Sequence, residues 1–132
     1  MGGTSGALFE IFLRAVALHL RDGQKGGDAS VTSAMITEAM SCGVDAVLAA
    51  GGAKPGYRTM VDALVPAQAA ALAGKSLKDV VAGARAGAES TKEMRALAGR
   101  SNYVPFEQIQ GFPDPGAVAI CVILEAISAS CA

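Results

Sequence analysis

Asp114-Pro115-Gly116-Ala117-Val118-Ala119-Ile120-Cys121-Val122-Ile123-Leu124-Glu125-Ala126-Ile127 is the stretch on which the fold class turns. An Asp followed at once by Pro is a helix start. The carboxylate accepts from orphan N–H groups of the first turn, and at N1 the donor that proline lacks has no intrahelical partner anyway. Val118, Ile120, Val122, Ile123, Leu124 and Ile127 follow without the period-two alternation of a strand, so a last helix is predicted from Asp114 onward.

Working back from there, residues 99–113 read as irregular, with Pro105, Gly111 and Pro113 as breakers. A fourth helix is predicted over 77–97, opened by a capping box between Ser76 and Asp79. Its inner face is Leu77, Val80, Val81, Ala84, Ala88, Thr91 and Met94. The third covers 58–72, where Pro66 removes a backbone donor and is expected to kink or break the helix. The second covers 31–48, with Val31, Met35, Ala39, Cys42 and Ala46 along one face and Gly51-Gly52 as its stop. In the first, over 7–20, Leu8, Phe9, Ile11, Phe12, Leu13, Val16 and Leu18 leave only a narrow polar strip, on which Glu10 and Arg14 can pair. A solvated loop, 21–28, joins the first two. Five helices and no strand make the class all-α, with antiparallel neighbours joined by modest loops.

Composition agrees. Ala and Gly are abundant and only six residues are aromatic, which suits helices packed closely through small side chains. The net charge of −1, with Lys and Arg scattered, gives no reason to expect nucleic acid or an anionic membrane as partner. Cys42, Cys121 and Cys131 lack a CxxC spacing and read as reduced thiols of a cytoplasmic protein. The two most apolar stretches are interrupted by Glu10, Arg14 and His19, and by Glu125, so neither supplies the ~20 apolar residues of a membrane span. His19, late in an apolar helix, reads as structural or surface rather than catalytic.

Three segments carry candidate chemistry. Gly2-Gly3-Thr4-Ser5-Gly6 precedes a helix, where free N–H groups and hydroxyls favour phosphate oxygens; it is also what an ordinary chain terminus with Ser5 as cap would look like. The Gly/Pro-rich segment 51–60 is a ligand loop or merely a turn. Arg100, in Gly99-Arg100-Ser101-Asn102-Tyr103, is placed to pair with a phosphate or with Asp114. Asp114 itself is a site residue or only a cap.

Taken in order, Gly-Gly-Thr-Ser-Gly, Pro55-Gly56-Tyr57-Arg58-Thr59-Met60-Val61-Asp62, Thr91-Lys92-Glu93-Met94, Gly-Arg-Ser-Asn-Tyr and Asp-Pro-Gly-Ala resemble the ADP-binding L domain of dihydroxyacetone kinases, also the C-terminal domain of triokinase/FMN cyclases. The resemblance implies an antiparallel helical barrel of eight helices, of which about five are present, so 1–132 reads as a partial, N-terminally truncated domain. It implies ADP or ATP as ligand. Thr4 and Ser5 would meet the phosphates, Gly51 and Met60 would border the adenine, Arg100 would face the phosphates, and Asp114, Pro115 and Gly116 would close the site. It also implies a dihydroxyacetone-binding K domain or subunit as partner, with phosphoryl transfer to dihydroxyacetone or glyceraldehyde, or FMN cyclase activity in fused relatives.

Two things depart from that pattern. The family's magnesium ligands form an upstream aspartate cluster, and none of the six Asp and six Glu residues here makes a D-x-D or similar group. Autonomous kinase activity is therefore not expected, and a regulatory or degenerate nucleotide-binding module is the alternative. Tyr57 stands where the family usually has Asp, so either a helix cap or a negative charge near the phosphates is lost. Five helices of eight should also leave apolar surface uncovered, which points to self-association or to a truncated chain.

Overall fold

The computed structural model describes residues 3–24 and 30–130. Gly2, Cys131 and part of the loop expected over 21–28 lie outside the described residues. Two compact units divide the chain, Met1–Gly52 and Ala53–Ala132, and each is described by itself.

The first unit is a helical hairpin of α1 (Gly3–Gly23) and α2 (Ser33–Gly51). Thr32 caps α2, its Oγ1 accepting from Met35 N at 3.2 Å. At the other end Gly52 takes the left-handed conformation, φ 64°, as the Gly51-Gly52 pair predicts. The helices run antiparallel, because a Cβ placed on Gly51 would meet Leu8, one on Gly43 would meet Phe12 and Val16, and one on Gly23 would meet Met35. Gly43 admits the Phe12 ring: its missing Cβ would stand 2.7 Å from Cδ2 and Cε2. By length and composition α2 is also the one helix among the described residues that could cross a bilayer, a possibility the sequence reading did not single out. It buries Ala39, Gly43, Val44 and Val47 on one face and exposes Glu38 and Asp45 elsewhere, a pattern equally suited to a bundle helix in water.

The second unit holds α3 (Val61–Leu72), α4 (Leu77–Ser90), a single turn α5 (Phe106–Ile109) and α6 (Pro115–Ser130), with 3₁₀ turns at Thr91–Glu93 and Arg100–Tyr103. The five expected helices are all present, α5 adding one turn to the irregular segment, and no strand occurs among the described residues. α4 packs on both α3 and α6. Its start is the predicted capping box: Ser76 Oγ accepts from Asp79 N, and the Asp79 carboxylate accepts from Ser76 N. The hydroxyl bond from Ser76 to that carboxylate is the main cause holding the Asp79 carboxyl below its ordinary value.

Several helix bounds differ from expectation: α1 spans Gly3–Gly23 rather than 7–20, taking in the start of the expected 21–28 loop, and α2 spans Ser33–Gly51 rather than 31–48. α3 begins at Val61 rather than 58, because Arg58 has φ 59° and cannot belong to a right-handed helix. α4 ends at Ser90 rather than 97. Ser90 Oγ and Thr91 Oγ1 donate to the carbonyls of Gly87 and Ala88 at 2.7 and 2.6 Å, capturing acceptors that the next helical turn would use. Pro66 does not break α3, which runs unbroken through it.

The lost Pro66 donor would have served the Asp62 carbonyl, four residues back. That carbonyl faces Gly87 of α4: a Cβ on Gly87 would fall on it, 2.9 Å from its carbon and 3.1 Å from Ala63 Cα. With glycine there, a Cα–H points at the oxygen instead, a weak but real replacement contact. One turn earlier on α4, Gly83 makes the same approach to the Pro66 carbonyl, with its missing Cβ 3.0 Å from the oxygen. Gly83 and Gly87 therefore form a groove four residues in period that receives the α3 backbone at Pro66 and Asp62, and the crossed order makes the pair antiparallel.

Ala in place of Gly normally stabilises a helix interior by about 0.5–1 kcal/mol. At Gly87 the sign should reverse. Gly87→Ala is expected to destabilise the protein by about 3 kcal/mol through forced separation of α3 and α4, read as a lower midpoint in urea unfolding, while Gly74→Ala, whose Cβ would meet nothing within 4 Å, pays only for its positive φ.

Candidate functional site

In the second unit the chain between Ala53 and Val61 is a built loop. Tyr57 N donates to Lys54 O at 3.1 Å to close a turn, and Gly56 takes φ 90° within it. The Asp62 carboxylate, 5% exposed, then gathers the loop's free donors: Gly56 N donates to Oδ1, and Thr59 N to Oδ2 at 2.8 Å. Thr59 Oγ1 accepts from Val61 N at 3.2 Å, so the first donors of α3 are met without a side-chain cap at Met60.

Arg58 is turned inward from this loop and is only 2% exposed. Its Nη2 donates to the carbonyls of Phe112 at 2.9 Å and Ile109 at 3.3 Å, and its Nη1 stands 3.9 Å from Asp114 Oδ1. Nε and Nη1 have no hydrogen-bond partner. A non-glycine residue at φ 59° is uncommon and costs about 1–3 kcal/mol. Here the guanidinium bonds to segment 106–113 hold it there.

Asp114 is the meeting point. Its Oδ2 accepts from Ala117 N at 2.9 Å, the N-cap geometry that the Asp-Pro pair predicts. Its own N–H donates to Thr91 Oγ1 at 2.7 Å, and Thr91, fully buried, donates in turn to Ala88 O. The end of α4 is thereby bonded to the start of α6. Burial pushes the Asp114 carboxyl above its ordinary value, against the opposing pull of Ala117 N–H and the Arg58 charge. Met60 lies alongside: a Cβ on Gly116 would stand 3.4 Å from Met60 Cβ and 3.0 Å from Asp114 Oδ2. Three of the predicted residues, Met60, Asp114 and Gly116, are thus brought together, with the exposed Pro115 between the last two.

Arg100 sits on its 3₁₀ turn, exposed and without an ion pair among the described residues. The cation facing Asp114 is Arg58, so the expected Arg100–Asp114 alternative is corrected. In the first unit, Thr4 and Ser5 are exposed on the first turn of α1, inside the helix rather than in a loop before it. Gly51 closes α2 against Leu8, with its missing Cβ 3.3 Å from that side chain, so all three residues share one end of the hairpin.

The model of the DAK2 domain matches residues 1–129. The chain belongs to the DAK2 domain family. Among curated proteins, it is 41% identical over 131 residues to dihydroxyacetone kinase 2 of Saccharomyces cerevisiae, covering 95% of this chain and 22% of that protein. It is also 41% identical over 135 residues to human triokinase/FMN cyclase, covering 96% of this chain and 22% of the relative. The solved dihydroxyacetone kinase of C. freundii superposes in its native form with a TM-score of 0.69 at 34% identity, over 98% of this chain and 21% of that one. Its complex with AMP-PNP and Mg2+ gives 0.68, again at 34% identity and 98% coverage, with 20% of that chain covered. The DAK2 domain here thus spans about a fifth of the length of these relatives.

Tyr57 can now be placed within the DAK2 domain. Residue 57 lies three positions before the N-cap of α3, and Asp62 supplies the loop's acceptor, so an Asp at 57 would not have capped this helix. That alternative is removed. Arg58 and Asp62 lie inside a quoted motif, and the motif itself is their only signal; the burial that makes them structural cannot be read from it, whereas Thr91 is buried as its place on the inner helix face predicts.

Two outcomes follow for the DAK2 domain. Arg58→Ala should lose about 2 kcal/mol or more through two charge-assisted hydrogen bonds, and Arg58→Gly should recover about 1 kcal/mol of that by relieving the left-handed backbone. Paired chemical-unfolding curves give the difference directly. For Asp114, the raised carboxyl means the folded state holds its proton at a pH where the unfolded chain has lost it. Stability from this group therefore falls as pH rises from the ordinary carboxylate value through the folded one. Asp114→Asn, which keeps an accepting oxygen for Ala117 N, should flatten that slope and cost less than Asp114→Ala, which loses about 1 kcal/mol of capping; unfolding midpoints measured across pH would show both.

Proposed function

We propose that this chain supplies the nucleotide-binding part of a dihydroxyacetone kinase. It would hold ADP or ATP while a phosphoryl group passes to dihydroxyacetone or glyceraldehyde bound by a K domain or subunit. The observation that carries this reading is the match, over 98% of the chain, to a dihydroxyacetone kinase solved with AMP-PNP and Mg2+. In this reading residues 1–132 are part of an L-type domain within a larger enzyme. Exposed Val118, Val122, Ile123 and Ile127 on α6 are apolar surface that further chain or a second copy would cover.

The site residues take chemically suitable roles. Thr4 and Ser5, with the free N–H groups of the first turn of α1, suit phosphate oxygens. In the second unit Met60 offers the adenine a thioether, which suits a flat ring, and in the first Gly51 offers a ligand close approach to backbone. Arg100, exposed and without an ion pair among the described residues, is available to a phosphate as a planar fork of donors. Asp114, Pro115 and Gly116 close the site, with Asp114 committed to orienting the first turn of α6 and to Arg58 rather than to the ligand.

Magnesium is a separate matter. Among the described residues no group of three or more His, Cys, Asp or Glu side chains is arranged to hold a metal. The residues present do not fit it, and no step is assigned to them through a metal. Phosphoryl transfer depends on neutralising phosphate charge, so the chain by itself is proposed to bind nucleotide without turning it over. The lack of such a group among the described residues also favours the second reading, a nucleotide-binding or regulatory module without kinase activity of its own. Which of kinase and cyclase chemistry the larger protein performs is left to its other parts.

Calorimetric titration with ADP, with and without magnesium, tests the proposal. Saturable binding that Arg100→Ala weakens by roughly tenfold or more, about 1.4 kcal/mol, with unfolding unchanged, supports it. Absence of binding in both conditions would refute it, and turnover of ATP and dihydroxyacetone by the isolated chain would overturn the assignment of catalysis to a larger assembly.

A further inference from the structure

Glu38 and Cys42 stand four residues apart on α2, so they share one helical face. That face meets His19 near the end of α1. Cys42 Sγ lies 3.4 Å from His19 Nδ1, and Glu38 Oε2 lies 3.7 Å from His19 Nε2. The two ring nitrogens therefore have different neighbours: a thiol on one side, a carboxylate on the other. The His19 side chain is 38% exposed and Glu38 66%, while Cys42 is half-buried, so a small reagent can reach the group.

We propose that Cys42 is a base-activated thiol, with His19 as its base and Glu38 as the orienting group, and that it is a modification site for low-molecular-weight disulfides. A carboxylate beside Nε2 favours the tautomer that carries its proton there, which leaves the Nδ1 lone pair facing the thiol. At 3.7 Å the Glu38 contact is electrostatic rather than a hydrogen bond. Its work is to bias the tautomer and to stabilise the imidazolium once formed. Nucleophile, base and orienting acid in that spatial order are what thiol activation requires.

The exchange balances without an external oxidant beyond the disulfide itself. The Cys42 proton passes to His19 Nδ1, and the thiolate attacks one sulfur of R–S–S–R. A Cys42–S–S–R bond forms as the original S–S bond breaks. The leaving thiolate takes the proton from the imidazolium and departs as R–SH. None of these three residues belongs to the proposed nucleotide site.

Cys121 serves as an internal control, being buried on α6 with its thiol pushed up by burial and by nearby Glu125. The test incubates the intact folded chain with glutathione disulfide and follows each cysteine by peptide mass spectrometry. Cys42 should gain one glutathionyl group roughly ten times faster than Cys121. His19→Asn should slow Cys42 by roughly tenfold or more and leave Cys121 unchanged. Glu38→Gln, which alters only an exposed carboxylate, should slow Cys42 about threefold through the tautomer bias; it decides the matter if His19→Asn loosens the hairpin, read as a lower unfolding midpoint. An unchanged Cys42 rate in the folded His19→Asn chain, or in Glu38→Gln, would overturn the proposal and leave Cys42 as a space-filling thiol beside the ring.

Discussion

The second unit depends on a single buried cation. Arg58 reaches from the loop before α3 to the carbonyls of Ile109 and Phe112 and to the Asp114 carboxylate. Segments far apart in sequence are joined through one guanidinium, whose planar fork of donors can serve several acceptors at once. Burying it has costs: a left-handed backbone, two nitrogens without hydrogen bonds, and a carboxylate 3.9 Å away that burial itself disfavours as an anion. Such a group is poor at adding stability, because desolvation consumes much of the attraction. It is good at specifying one arrangement, since any other docking of the loop would strand the charge.

Around that joint, the helices approach through backbone rather than through large side chains. Gly83 and Gly87 let α4 lie against the Pro66 and Asp62 carbonyls. The proline that removes a donor from α3 does so where another helix is close enough to offer a Cα–H. α3 passes through Pro66 without a break. Asp62 links the two features, since its carbonyl meets Gly87 while its carboxylate orders the loop that carries Arg58. Loop and helix packing are therefore coupled in one residue.

The local chemistry of the chain was readily legible. Ser76 and Asp79 form their capping box, Gly52 ends α2 in a left-handed turn, and Asp114 with Pro115 opens α6. Each depends on a residue's own neighbours, so adjacency in sequence is enough to read it. The start of α3 was misread for an opposite cause. Whereas α4 ends on the local bonds of Ser90 and Thr91, Arg58 sits outside the helical region with its side chain captured across 51 and 54 residues of sequence separation, and Asp114 finds Thr91 over 23. Propensity over a short window carries no trace of such partners.

The same division applies to the candidate site. Sequence alone determined the all-helical class and the family, and it marked the short segments that carry the proposed site residues, because caps, glycine stops and ordered motifs are local patterns. Tertiary structure alone decided which of those residues meet. It put Met60 beside Gly116, gave Asp114 to Arg58 and Thr91 instead of Arg100, left Arg100 exposed, and set Cys42 and Glu38 on either side of His19. The physical reason is that the partner of a charge or thiol is set by which surfaces pack, and that is a property of the whole fold rather than of any one segment.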